Sequence, residues 1–184
     1  MRYGDSIYYS LSFIFQDAEG NNLAEGIDLY DWIPSDKPQE QATSGQVADC
    51  KIDIILSKQS DKYNNEHYHL IEPGMIDYEP YTPILMYQRY NGQILLGNRF
   101  HIYMDYVEPQ EKLTYKITCP YIFGDNEIHV ITTYWKKELG ESILHSYYPE
   151  CYMVEFDGKV ITDIGFNPED KVHKRNYVTL TVNR

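Results

Sequence analysis

His67 and His69 stand two residues apart in His67-Tyr68-His69 and fall on one face of an extended segment. That spacing lets a strand offer two imidazoles to a transition metal. A zinc site needs three or four converging ligands, and here the third would come from Glu66, Glu72 or His101. Spacing sets only the pair, so the plainer reading is two solvated histidines beside a loop, and no metal ligand is assigned. Asp17, Glu19 and Asn21 place oxygens at alternating positions, as calcium loops do. The calcium template wants Gly at its sixth position and Glu at its twelfth, where this chain has Asn22 and Asp28. An acidic β-turn is the better reading. Glu155-Phe156-Asp157 alternates two carboxylates along a strand, and a glycoside hydrolase needs two facing acids. Asp157-Gly158, however, is turn chemistry, and no third acid follows. Serine nucleophile elbows, phosphate loops, dinucleotide loops and H-E-x-x-H are absent from the sequence. No catalytic residue and no cofactor is expected.

The remaining chemistry is aromatic. The chain has 19 tyrosines against 6 phenylalanines and 2 tryptophans. Tyr78, Tyr81, Tyr87 and Tyr90 lie close together, on a proline-rich stretch and the hairpin that follows it. Exposed tyrosines make good binding groups because they are rigid and amphipathic, and both sugar faces and partner proteins suit them. The competing reading is that these rings pack the loop onto the body of the domain.

Composition narrows the partners. The 184 residues carry a net charge of −12, and an acidic surface repels phosphate backbones, which disfavours nucleic acid. The one basic cluster, Lys171, His173, Lys174 and Arg175, is short and reads as a solvated loop. No run reaches the roughly 18 to 20 apolar residues of a membrane-spanning helix. Tyr3 to Ser6 leads straight into a strand pattern rather than a signal peptide. Cys50, Cys119 and Cys151 allow at most one internal disulfide, in any of three pairings, and form no C-x-x-C motif.

The elements that would position these groups are strands. Ile7 to Phe15 puts Ile7, Tyr9, Leu11, Phe13 and Phe15 on one face. Cys50–Ser57, Arg99–Tyr106 and Leu113–Cys119 alternate in the same way, and Ile128–Trp135 is β-branched and aromatic. Leu23–Trp32 reads as a strand interrupted by Gly26, and His67–Ile71 as a short one. Asn91-Gly92 and Asp157-Gly158, each between apolar runs, predict tight hairpins. Pro34–Gly45 and the proline-rich Glu72–Pro83 read as long loops. Lys136–Pro149 is either a short helix or an irregular excursion. Tyr177–Val182 closes the chain as a strand. About nine or ten strands without a long helix predict an all-β fold. Residues 1–184 are then a single domain, an antiparallel β-sandwich of immunoglobulin-like or jelly-roll-like type with long loops.

Three blocks carry a resemblance: Leu11 through Asp17-Ala18-Glu19-Gly20-Asn21-Asn22-Leu23 to Ile27, then Leu113 to Trp135, then the hairpin around Glu155-Phe156-Asp157-Gly158-Lys159. Together they resemble small uncharacterised envelope lipoproteins of gut anaerobic bacteria. The resemblance covers about half the chain and rests on turn and strand chemistry. It implies a β-sandwich-like domain at the cell envelope or outside the cell, tethered by a lipid on an upstream cysteine, and it implies no substrate. The alternative compartment is the cytoplasm. The leading expectation is a non-catalytic cell-envelope domain that binds a glycan or a partner protein. The alternatives are a structural subunit of a surface assembly and a carboxylate-based glycoside hydrolase.

Overall fold

A computed structural model describes residues 5–30, 44–58, 63–64, 69–70, 85–90, 92–104, 108–139, 144–166 and 176–184. In chain order the strands are β1 (Ser6–Gln16), β2 (Leu29–Tyr30), β3 (Ser44–Val47), β4 (Lys51–Leu56), β5 (Tyr63–Asn64), β6 (His69–Leu70), β7 (Met86–Tyr90) and β8 (Gln93–Tyr103). They continue with β9 (Lys112–Thr118), the one-turn helix α1 (Pro120–Phe123), β10 (His129–Trp135) and β11 (Ser146–Tyr147). The last four are β12 (Cys151–Phe156), β13 (Lys159–Ile161), β14 (Gly165–Phe166) and β15 (Asn176–Thr181). The fold is all-β and sandwich-like. One sheet runs β14-β15-β1-β8-β7-β3-β2, with β11 also paired to β1. The second runs β13-β12-β10-β9-β4, and β5 pairs with β6 apart from both.

Alternation explains how the sheets meet. Ile7, Tyr9, Leu11, Phe13 and Phe15 are all buried on the inner face of β1. Opposite them lie Leu113, Tyr115 and Ile117 of β9, Ile131 and Trp135 of β10, and Val154 and Phe156 of β12, in one continuous core. Aromatic edges lock the two layers: Tyr9 meets Trp135 edge-on at 5.1 Å and Phe13 meets Tyr115 at 5.7 Å between ring centroids. Each fully buried side chain of this size contributes roughly 1.5 to 3 kcal/mol. Buried polar atoms find partners. The Tyr9 hydroxyl accepts the Gln110 backbone N–H, and the Trp135 indole N–H donates to Thr133 Oγ1 at 2.8 Å.

Gln110, buried itself, clips two loops together. Its Oε1 accepts the Lys58 N–H at 2.9 Å, and its Nε2 donates to the Lys58 and Glu108 carbonyls. Both predicted hairpins form. Tyr90 pairs with Gln93, and Phe156 pairs with Lys159 across Asp157-Gly158. Asp157 (φ 48°) and Gly158 (φ 73°) are both left-handed, as a two-residue turn matched to strand twist requires.

One expectation is corrected and two are sharpened. Leu23–Trp32 is not a long strand: residues 23–26 form a turn, and among the described residues of this range only Leu29–Tyr30 is a strand. Gly26, at φ 77°, adopts a backbone that a strand residue cannot share. The described part of Lys136–Pro149 holds no helix; Leu144 and His145 take positive φ and lead into β11. The large sheet is not purely antiparallel, because β15 and β11 both run parallel to β1. No hairpin joins β1 to either of them, so turn geometry does not dictate their direction.

Cys50 precedes β4 and Cys119 follows β9, and the register Lys51↔Thr118 brings them side by side. They form the disulfide, with α-carbons 4.4 Å apart. Cys151 is a free, buried thiol, and burial pushes it up to about 12.

Candidate functional site

The second sheet turns one face to the core and presents the other outward. The outward positions are set by the pleat. On β9 they are Lys112, Thr114, Lys116 and Thr118; on β10 they are Val130, Thr132 and Tyr134. The strand registers arrange them in rows. Val160 of β13, Glu155 of β12, Thr132, Thr114 and Ile55 of β4 form one row. Met153, Tyr134 and Lys112 form the next, and Val130, Lys116 and Asp53 a third.

A register shift between Tyr134 and Trp135 leaves Tyr152 as the extra residue of a bulge, and it projects outward beside Tyr134. Tyr152 is 46% exposed. The two tyrosine rings lie 6.5 Å apart with their planes inclined at 50°. The Tyr134 hydroxyl donates to Glu155 Oε2 at 3.4 Å. The Lys112 ammonium stands 5.8 Å from the Tyr134 ring centre. Partial desolvation, with the Glu155 carboxylate beside it, holds the Tyr134 phenol above its ordinary range, so the ring stays neutral. Val160 and Val130 add exposed apolar surface elsewhere on the same face. The result is an open face with two aromatic rings, a carboxylate, an ammonium and threonine hydroxyls. It can stack on a flat apolar ligand face and exchange hydrogen bonds with hydroxyls around it.

The residues singled out in the sequence fall elsewhere. Tyr78 and Tyr81 lie outside the described residues. Tyr87 turns inward and is 5% exposed, so its ring belongs to the core, and its hydroxyl accepts from Arg89 Nε at 3.1 Å. Tyr90 alternates to the opposite face of β7 and is half-buried. The structure therefore does not bring Tyr87 and Tyr90 onto one surface. His67 and the Lys171–Arg175 cluster lie outside the described residues. His69 belongs to β6, and His101 lies against the Tyr8 ring at 5.0 Å. Tyr8 also stacks on Tyr148 at 5.4 Å, so this second aromatic group, on the other sheet, spends its ring faces on itself.

Asp17 uses its carboxylate on its own turn. Its Oδ1 accepts the Glu19 and Asn21 N–H groups, and its Oδ2 accepts from the Asn21 side chain at 2.8 Å. Those contacts hold the carboxyl below its ordinary range, led by the Asn21 side chain. Asp157 is committed to the hairpin turn, while Glu155 stands on the open face.

Tyr134 and Tyr152 were missed as site residues. Strand alternation marks Tyr134 as outward, opposite Trp135, and that signal was legible. Tyr152 depends on the bulge, which pattern alone does not reveal. Searches of protein-family models, of curated proteins and of solved structures find no match to the chain. The geometry of the open face therefore carries the functional reading.

Proposed function

We propose that this chain is a non-catalytic cell-envelope domain that binds a glycan on the outer face of its five-stranded sheet. The observation that carries the reading is the Tyr134–Tyr152 pair, 6.5 Å apart on a rigid sheet, with Glu155 and Lys112 at its margin. Rigid amphipathic rings lose little entropy on binding, and strands hold them in place before a ligand arrives. Sugar rings present apolar C–H faces to such aromatics and hydroxyls to the flanking polar groups. Two further features support the compartment. The Cys50–Cys119 disulfide suits an oxidising environment. The turn and strand blocks resemble envelope lipoproteins, whose lipid on an upstream cysteine would tether the domain.

The test is a glycan array probed with the wild-type protein and with a Tyr134→Ala/Tyr152→Ala variant. Wild type is expected to retain a defined set of glycans. The variant, folded by circular dichroism, is expected to lose on the order of thirtyfold in affinity, as loss of a buried aromatic anchor costs about 2 kcal/mol or more. A folded wild-type protein that retains no glycan overturns the reading. So does a double variant that binds as well as wild type.

A further inference from the structure

The charge on the open face runs against that of the whole molecule. The chain carries −12, with 28 acidic residues against 16 basic. Yet the outward positions of β9 hold only Lys112, Thr114, Lys116 and Thr118, and Lys51 of β4 lies diagonal to Lys116. By sheet geometry that diagonal is roughly 7 to 8 Å, and Lys112 and Lys116 are about 13 Å apart along the strand. The carboxylates among these outward positions are Asp53, opposite Lys116, and Glu155, which accepts from the Tyr134 hydroxyl.

Among the described residues Lys58, Arg89 and Lys136 are engaged in ion pairs, whereas Lys51, Lys112 and Lys116 enter none. Three ammonium groups thus stand on the open face against two carboxylates, Lys112 beside the rings and Lys116 and Lys51 farther along the sheet. A neutral sugar satisfies the rings and leaves the ammonium groups in water. A sugar that carries an anion satisfies both.

We infer that the ligand of this face is an acidic glycan, its ring faces on Tyr134 and Tyr152 and its carboxylate or sulfate groups on Lys112 and Lys116. This rests on the glycan-binding reading above and names the ligand class within it. The net negative charge of the rest of the molecule repels polyanions at long range, so selection depends on the local lysines. Binding therefore weakens as salt shortens the range of those charges.

The experiment is affinity electrophoresis and titration calorimetry of the full chain. The probes are polygalacturonate before and after carboxyl reduction, chondroitin sulfate intact, desulfated, and both desulfated and carboxyl-reduced, a neutral β-glucan, and a single-stranded oligonucleotide. Wild type is compared with Lys112→Gln/Lys116→Gln and with Tyr134→Ala/Tyr152→Ala. The expected result is binding of an acidic glycan, weakened on the order of tenfold by the lysine substitutions and again by neutralising the polymer. Polygalacturonate carries carboxylates alone, so its binding assigns carboxylate; chondroitin sulfate carries both, so loss of its binding on desulfation alone assigns sulfate. Binding of the neutral glucan alone, or binding unmoved by the lysine substitutions, overturns the acidic assignment and leaves the glycan reading standing. No retention by any glycan overturns both. Equal binding of the oligonucleotide shows unselective polyanion attraction and also overturns the assignment.

Discussion

The Tyr9 hydroxyl and the Cys151 thiol are buried in the core with quite different consequences. Tyr9 stands against Trp135 and takes the Gln110 N–H, and burial raises its phenol well above the ordinary range. Tyr9→Phe keeps the ring and orphans that N–H, so urea denaturation is expected to show a loss of about 1 to 3 kcal/mol. The Cys151 thiol, pushed up to about 12 by burial, stays protonated and shielded at pH 8. A thiol reagent is expected to leave it unlabelled in the native protein and to label it promptly in denaturant. Asp125 sits 3.0 Å from His129 Nε2, a ring stacked on Phe123, and that contact holds its carboxyl below the ordinary 3.8. A lowered carboxyl stabilises the fold above its unfolded value and stops doing so as pH falls through its folded one. The melting temperatures of wild type and Asp125→Asn are thus expected to differ near pH 6 and to converge as the pH falls through and below the ordinary carboxylate range. Alternation alone predicted that Tyr9 points inward. It did not predict the partner of the hydroxyl, because Gln110 is 101 residues away in sequence.

Two local constraints shape the edges of the five-stranded sheet. The Asp157-Gly158 turn was legible because only left-handed residues close a two-residue hairpin with the right twist. Gly158→Ala forces a side chain into that conformation and is expected to cost about 1 to 2 kcal/mol by urea denaturation. The Cys50–Cys119 bond ties β4 to β9 across a sequence separation of 69 residues. In the chain-entropy picture a loop of that length is worth about 4 kcal/mol. Sequence left three pairings open because it does not say which strands are neighbours; the β4–β9 register decides it. The bulge at Tyr134/Trp135 was hidden for a similar reason. It is a mismatch between two strands, and neither strand shows it alone. Its effect is to turn Tyr152 out beside Tyr134.

At the scale of the whole molecule, strand alternation and two turn signals were enough to read a sandwich-like all-β domain. They did not predict that the first and last strands lie side by side in parallel. That closure joins elements from opposite ends of the chain, and periodicity carries no information about it. The same limit applies to the candidate site. Clustering in sequence drew attention to Tyr78, Tyr81, Tyr87 and Tyr90, while the open aromatic face is assembled from β9, β10 and β12 by cross-strand register. On the proposed reading the ligand sits on this face. The most direct measurement is a backbone amide NMR titration of the chain with a glycan oligosaccharide that it retains. Shifts are expected to concentrate at Lys112, Thr132, Tyr134, Tyr152 and Glu155, with the Tyr8–His101–Tyr148 face of the other sheet unmoved. Shifts centred on that other sheet, or spread without focus, would contradict it.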